Sequence, residues 1–256
     1  MKVSAFKRQQ EIAEWIKRDG SVKARDLSEI YGVSMETIRK DLTCLEQMGI
    51  ARKEYGGASV SPLSTEIALD YRTTHLDRKA EIARYALEFL KDQHTLLLDT
   101  GTTAMAAVPY INKLPKMDII TNSLDIFEQL DGFTHNVFFP GGRKRERNRS
   151  VVGSWTERFL DSIHVDVCFL GTAGIMDSQG PTVHSYPELN TKIKMIERSD
   201  LVYVLADSSK FQQNGLHSVA DWSRIDGIIT DRTLPSSVYQ KFSPKVPIYI
   251  AKEYET

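Results

Sequence analysis

Five apolar runs in this chain end in tails of the same chemical kind. Leu96-Leu97-Leu98 leads into Asp99-Thr100-Gly101-Thr102-Thr103, and Ile119-Ile120 into Thr121-Asn122-Ser123. Phe138-Phe139 leads into Pro140-Gly141-Gly142-Arg143, and Cys168-Phe169-Leu170 into Gly171-Thr172-Ala173-Gly174. Val204-Leu205 leads into Ala206-Asp207-Ser208-Ser209-Lys210. A single tail of this sort is an ordinary strand-to-helix turn. Five converging on one sheet edge make a binding site. Small residues let backbone N–H groups approach an anion, and hydroxyls add donors. A helix starting after Thr103 adds partial positive charge. This is chemistry for a phosphate.

A second constellation lies near the start, in Ser34-Met35-Glu36-Thr37-Ile38-Arg39-Lys40-Asp41-Leu42. Tyr31-Gly32-Val33 makes a tight turn before it, and Ser34 is placed to cap the new helix. Ile38, Leu42 and Leu45 recur at helical spacing and face a core. Thr37, Arg39, Lys40 and Thr43 are left to point outward. Cations neutralise nucleic-acid phosphates, and hydroxyls or guanidinium groups meet base edges. Such a face is also what any solvated surface helix presents. Its neighbours favour the DNA reading. One earlier helix carries Ile12, Trp15 and Ile16, and another Leu27, Ile30 and Tyr31. Three short helices with a glycine-containing turn before the third place that helix in a major groove. The stretch from Gly49 to Ala58 reads as a basic hairpin carrying Arg52 and Lys53, the wing of a winged helix. The candidate DNA contacts are thus Ser34, Glu36, Thr37, Arg39, Lys40, Thr43, Arg52 and Lys53.

The tails need strands and helices to hold them. Apolar runs at 95–98, 118–121, 137–139, 165–170, 201–206, 228–230 and 247–250 alternate with amphipathic segments such as Ile82-Tyr85-Ala86-Phe89 and Leu189-Ile193-Ile196. That alternation predicts an α/β domain with a mainly parallel sheet covered by helices, whose ligands sit beyond the carboxyl ends of strands. Gly56-Gly57-Ala58-Ser59-Val60-Ser61-Pro62-Leu63-Ser64 marks a joint by its small, turn-forming residues. The expected organisation is a winged helix-turn-helix over 1–58, a linker over 59–75 and the α/β domain over 76–256.

Composition bounds this reading. With 256 residues, 41% hydrophobic and 26% charged, the chain has a globular profile and room for two domains. The net charge of −1 excludes a generic polyanion binder. Residues 1–60 hold 11 Lys and Arg against 9 Asp and Glu, a net of only +2, so DNA binding rests on placement. Cys44 and Cys168 are far apart in apolar settings, which suits buried free thiols and a reducing cytoplasm. No apolar signal region begins the chain, and no run approaches the ~20 apolar residues of a membrane span. The sequence calls for no cofactor and no metal.

The Thr-Ile-Arg-Lys-Asp core at 37–41 and Gly56-Gly57-Ala58 after the wing resemble those of the DeoR family of bacterial transcriptional regulators. The resemblance extends through nearly the whole chain. It implies a second domain similar to ribose-5-phosphate isomerase and coenzyme A transferase folds, with a phosphorylated sugar as effector. Asp99 to Thr103 would be the phosphate loop, helped by Asn122 and Ser123. Glu188 and Lys192 match the family's Glu-x-x-x-Lys segment, and Asp207 and Lys210 its Asp-Ser-Ser-Lys element. Gly141, Gly142, Gly171 and Thr172 complete the candidate effector site. Glu188 and Lys192 stand one helical turn apart, where a simple surface ion pair is the alternative. The resemblance also implies operator DNA and further copies of the chain as partners, and repression relieved by ligand.

The loop from Ile175 to Pro187 departs from the family's pattern. His184 and Tyr186 either shape a ligand-specific wall or sit in a surface loop. The run Arg143-Lys144-Arg145-Glu146-Arg147-Asn148-Arg149 carries a net +4. Its first expectation is a solvated loop, then phosphate capture, then DNA contact. The Asp-Thr-Gly at 99–101 also matches aspartic proteases, but those need two such aspartates in an all-β setting. A sugar-phosphate isomerase or acyl-transfer enzyme with a DNA-binding appendage is the alternative of substance, with Asp99, Glu188 and Lys192 as acid–base groups. A purely architectural DNA binder leaves the α/β domain without a purpose.

Overall fold

A computed structural model describes residues 4–47, 50–60, 75–175 and 177–252. The chain divides into two compact units, residues 1–72 and 73–256.

In the first unit, Ser4 caps α1 (Ala5–Asp19) by accepting the Lys7 N–H, and Gly20 closes it in the left-handed conformation. A short strand β1 (Ser21–Lys23) precedes α2 (Ala24–Tyr31) and α3 (Met35–Gln47). The hairpin β2 (Ala51–Glu54) and β3 (Gly57–Val60) follows, and β3 pairs on its other side with β1. The expected winged helix is present, with an added strand that the sequence pattern does not announce. Ile12, Ile16, Leu27, Ile38, Leu42 and Leu45 form its core at 2% exposure or less. Ile30 is not part of it: at 56% exposed it lies on the outer face of α2. Ser59 and Val60, expected in the linker, belong to β3; residues 61–74 of that linker lie outside the described residues.

The second unit opens with α4 (Leu76–Ala86), which tightens into a 3-10 turn at Leu87–Leu90. Then come β4 (Thr95–Leu98), α5 (Thr102–Met105), α6 (Val108–Ile111), β5 (Asp118–Thr121), α7 (Leu124–Gln129) and β6 (Asn136–Phe138). A hairpin, β7 (Arg143–Arg145) and β8 (Ser150–Val152), leads to α8 (Ser154–Asp161) and β9 (Val165–Gly171). The chain continues through β10 (Thr182–Val183), α9 (Tyr186–Glu197), β11 (Ser199–Leu205), β12 (His217–Ser218), β13 (Gly227–Thr230), α10 (Ser236–Phe242) and β14 (Ile248–Ile250).

Among the described residues one sheet of seven strands runs β14-β13-β11-β9-β4-β5-β6, and every neighbouring pair in it is parallel. Its strands are those read from the sequence, within two residues at each end. Alternation at period two splits the core. Leu97, Cys168 and Leu170 join one layer with Met195, Ile196 and Phe242. Leu96, Leu98, Val167 and Phe169 join the other with Ile82, Ala86, Ile111 and Ile126. Both faces are covered, as a parallel sheet demands. Of the two cysteines only Cys168 is fully buried, and burial pushes its thiol well up, so it is no nucleophile; Cys44 is half-buried.

Strand order locates the site. From β4 the chain builds outward through β5 and β6, then returns to β4's other side with β9 and builds the opposite way through β11, β13 and β14. The order reverses between β4 and β9. Ligands of open parallel sheets bind at such a reversal, beyond the strands' carboxyl ends.

Candidate functional site

On α3 the cap works as expected: the Thr37 N–H donates to Ser34 Oγ at 3.1 Å, and the two hydroxyls pair at 2.9 Å. Ile38, Leu42 and Leu45 face inward, while Glu36, Arg39 and Lys40 are exposed. Arg39 stands 4.0 Å from Glu36 with its side chain 65% exposed. Thr43 is committed elsewhere. Its hydroxyl donates to Arg39 O at 2.8 Å and accepts from Lys53 Nζ at 3.0 Å. With the Lys53 N–H donating to Glu46 Oε1 at 2.9 Å, Thr43 and Lys53 fasten the wing to α3. Arg52 pairs with Glu54 at 3.1 Å, and Glu54 also accepts from Ser59 Oγ at 2.6 Å. Those contacts hold the Glu54 carboxyl below its ordinary value, the Ser59 bond most and Arg52 next. Tyr55, at the turn of the wing, is wholly exposed, and no sequence motif singles it out.

Asp41, one residue past the two cations, turns inward. Arg8 Nε donates to its Oδ2 at 2.7 Å and Gln9 Nε2 to its Oδ1 at 2.8 Å, so α1 grips the underside of α3. Of the candidates, Ser34, Glu36, Arg39, Lys40, Arg52 and Lys53 are exposed and Thr37 and Thr43 half-buried; Ser34, Thr37, Thr43 and Lys53 also make the contacts that frame α3 and the wing.

At the sheet edge, Leu98 pairs with Thr121 on one side and Phe169 on the other, so Asp99 and Asn122 leave adjacent strands at one level. Asp99 is 1% exposed. Its Oδ2 accepts the Gly171 N–H at 2.8 Å and the ammonium of Lys192, which also donates to Gly171 O at 2.8 Å. Burial pushes the Asp99 carboxyl above its ordinary value and the charge of Glu188 adds to that; Lys192 and the Gly171 N–H pull the other way. A Cβ on Gly171 would meet Thr100 O at 3.0 Å and Asp99 Oδ2 at 3.2 Å, which explains a glycine there. Asp99 is therefore the buried seat of Lys192.

Glu188 and Lys192 are not paired with one another, contrary to the surface-pair alternative. Glu188 pairs with Arg145 at 3.1 Å, both side chains only 11–13% exposed. The basic run is accordingly only partly solvated: Arg143, Lys144 and Glu146 are exposed, while Arg145 and Asn148 turn inward. Arg143–Arg145 is strand β7, and Asn148 is fully buried. Asn148 Nδ2 reaches Thr100 Oγ1 and Glu188 Oε1, each at 3.3 Å, and its Oδ1 accepts from Ser150 Oγ at 2.7 Å. Arg149 pairs with Asp125 and with Glu128. Arg145 and Asn148 are the site residues that sequence reasoning missed; their signal, a basic run directly after two glycines, was legible only as charge.

Gly101 opens α5 at φ 147°, and a Cβ there would meet nothing within 4 Å. The first N–H groups of the turn at Thr102 and Thr103 have no carbonyl behind them in the helix. The helix is shorter than expected, four residues, and starts at Thr102. Asn122 Nδ2 donates to Val151 O at 3.2 Å, while Ser123 caps α7 by accepting from Ile126 N–H. Asp99 Oδ1 and Asn122 Oδ1 are buried with no hydrogen-bond partner among the described residues. Both are acceptors and suit hydroxyl donors.

Other candidates also bond within the protein. Gly141 O accepts from Thr156 Oγ1 at 2.8 Å, which seats the Gly141-Gly142 turn on α8. Thr172 Oγ1 braces the loop to Gly174 and Thr182. Asp207 caps the turn Ser208–Gln212 through Ser209 N–H, and Lys210 bonds Gln213 at 3.2 Å. Of the two loop residues, His184 is half-buried just after β10, whereas Tyr186 is 63% exposed and stacks edge-on against His217. Also missed was Arg78 of α4, which donates to Ser208 Oγ at 3.1 Å.

Among the described residues no helix is long and apolar enough to cross a membrane. The profile of the DeoR-like helix-turn-helix domain matches residues 8–62, and that of the DeoR C terminal sensor domain residues 74–232. The glycerol-3-phosphate regulon repressor of Escherichia coli (strain K12) is 32% identical over 90% of this chain and 92% of its own. The HTH-type transcriptional regulator IolR of Bacillus subtilis (strain 168) is 30% identical over 90% of this chain and 93% of its own. Among solved structures, ribose 5 phosphate isomerase A from Neisseria gonorrhoeae matches 54% of each chain at 20% identity and a TM-score of 0.37. A winged helix-turn-helix followed by a parallel-sheet α/β unit fits the two profiles, which together match residues 8–62 and 74–232, and the chain belongs to the DeoR family of transcriptional regulators.

Proposed function

We propose that this protein represses a carbohydrate-metabolism operon and releases its operator when a phosphorylated sugar binds the sheet edge. Residues 1–60 read DNA, 61–75 join the units and 76–256 sense the ligand. Glu36, Arg39, Lys40 and Arg52 contact the operator, on the frame of Ser34, Thr37, Thr43 and Lys53. The amides after Gly101, with Thr100, Thr102 and Thr103, hold the phosphate. Asp99, Asn122 and Lys192 bind or position the sugar hydroxyls, with Gly171, Thr172, Glu188, Asp207 and Lys210 around them. The protein works in the cytoplasm as a dimer or tetramer, because two-fold operators are met by two-fold proteins.

The observation that carries this reading is the sheet edge itself. Two buried, unpartnered acceptors, Asp99 Oδ1 and Asn122 Oδ1, lie at the ends of β4 and β5 beside the first turn of α5, where helix geometry leaves the leading N–H groups without an intrahelical carbonyl. A hydroxyl-rich ligand with an anionic end satisfies both. A relative named for the glycerol-3-phosphate regulon supports the same ligand class. The enzyme alternative is not favoured, since the relatives are named regulators.

The test is operator binding by wild type and Gly101→Val across titrations of phosphorylated sugars. The branched side chain enters open space at the amide turn and also strains a backbone at φ 147°. The variant is expected to hold operator and ignore effector. A Gly101→Val protein that releases operator at wild-type effector concentrations refutes the assignment of the site.

A further inference from the structure

Two ion pairs at the sheet edge balance one another. Two carboxylates, Asp99 and Glu188, meet two cations, Lys192 and Arg145. Asp207 and Lys210 add one charge of each sign. A phosphate monoester brings about −1.5 to −2 at neutral pH. Its entry leaves the site short of positive charge unless a cation changes partners.

The two cations differ in how readily they do that. The Lys192 side chain is 3% exposed, and its ammonium bonds both Asp99 and Gly171 O beneath the loop. Arg145 is 11% exposed and its partner Glu188 13%, at the outer side of the site. Arg145 sits on a hairpin whose far end is fixed by Arg149 to Asp125 and Glu128 and by the pairing of β8 with β7. Its side chain can swing without the hairpin leaving. A guanidinium also offers the forked donors that suit a phosphate. Asn148 Nδ2 meets Glu188 Oε1 and the hydroxyl of Thr100 in the phosphate loop, so the released carboxylate keeps one donor and stays beside that loop.

The geometry points to Arg145 as the side chain that binds the effector's phosphate, held in reserve by Glu188, which sets the concentration at which the effector wins. This rests on the sheet edge being a phosphate-binding site. Glu188 is then a competitor of the phosphate rather than one of its contacts, and loss of its charge strengthens anion binding. A Glu188 that instead bonded ligand hydroxyls would give the opposite sign.

The test is calorimetric titration of the full chain with inorganic phosphate and with ribose 5-phosphate, each compared with unphosphorylated ribose. Glu188→Gln is expected to tighten both phosphate-bearing probes about tenfold, the effect of one additional charge-assisted hydrogen bond. Arg145→Gln is expected to weaken them by about the same factor, with Arg145→Lys between. In an Arg145→Gln background, Glu188→Gln has nothing left to release and changes affinity little. Melting curves confirm that each variant is folded, and Arg145→Lys supplies the comparison if Arg145→Gln is not. Weaker phosphate binding by Glu188→Gln overturns the inference, as does phosphate affinity indifferent to Arg145; in both cases the sensor reading stands. No saturable binding of either phosphate-bearing probe to wild type overturns the sensor reading and this inference together.

Discussion

Each unit contains a buried ion pair, and the two differ in completeness. Arg8 and Asp41 lie beneath the reading helix at 7% and 4% side-chain exposure, and Lys192 and Asp99 lie at the sheet edge at 3% and 1%. Both oxygens of Asp41 are engaged, by Arg8 and Gln9. Only one oxygen of Asp99 is; Oδ1 has no partner among the described residues. Burying a charge is costly unless its hydrogen bonds are met, so a fully met carboxylate is cement and a half-met one marks where a ligand belongs. The cations of the two units contrast as well. Arg39 and Lys40 are exposed, whereas the side chains of Arg145 and Lys192 are paired internally at 11% and 3% exposure. Under the proposed function the first two take their counter-charge from a DNA backbone, and the second two keep a site for one small anion assembled before it arrives.

The largest expected effects come from breaking the two pairs. Asp41→Ala removes the buried carboxylate partner of Arg8 and should cost about 3–5 kcal/mol in urea unfolding of the winged unit, taking operator binding with it. Asp99→Ala strands Lys192 and should cost a similar amount. The difference lies in function: in samples still folded, Asp99→Ala should lose effector binding by calorimetry, and Asp41→Ala should keep it. Retention of effector binding by Asp99→Ala would break the contrast.

Next in size is the double variant Arg39→Ala, Lys40→Ala. Each lost base-reading contact should cost about 1–3 kcal/mol of operator affinity, and each lost phosphate contact should lower the salt slope by about one unit. Melting should barely move, since both side chains stand in solvent. A folded double variant with wild-type operator affinity removes α3 from the interface. Ser34→Ala should be milder, about 1 kcal/mol of stability from a lost cap, read by melting of the full chain. The smallest effect is expected of Arg25→Ala, whose pair with Glu29 leaves the side chains 84% and 70% exposed; no measurable change in stability is expected.

Much of the fold was legible because its signals are local. Alternating apolar runs gave all seven strands of the sheet, and the cap at Ser34 with Ile38, Leu42 and Leu45 gave the reading helix. Strand β1 escaped because three residues carry no periodicity, and it exists only because β3 offers it an edge. Ile30 was misplaced because helical spacing names a face, while the neighbouring helices decide which side of that face is covered.

The sequence alone determined which residue types gather at the strand ends, since small, hydroxyl and glycine residues after apolar runs are a local pattern. It could not determine which charges pair. Asp99 and Lys192 are 93 residues apart, Arg145 and Glu188 are 43, and Arg8 and Asp41 are 33. The i,i+4 spacing of Glu188 and Lys192 suggested a local pair, but each side chain found its partner on another element. Packing two helices and a hairpin over one sheet edge removes water from all four groups, and in that low dielectric the partner within reach prevails over the partner nearest in sequence.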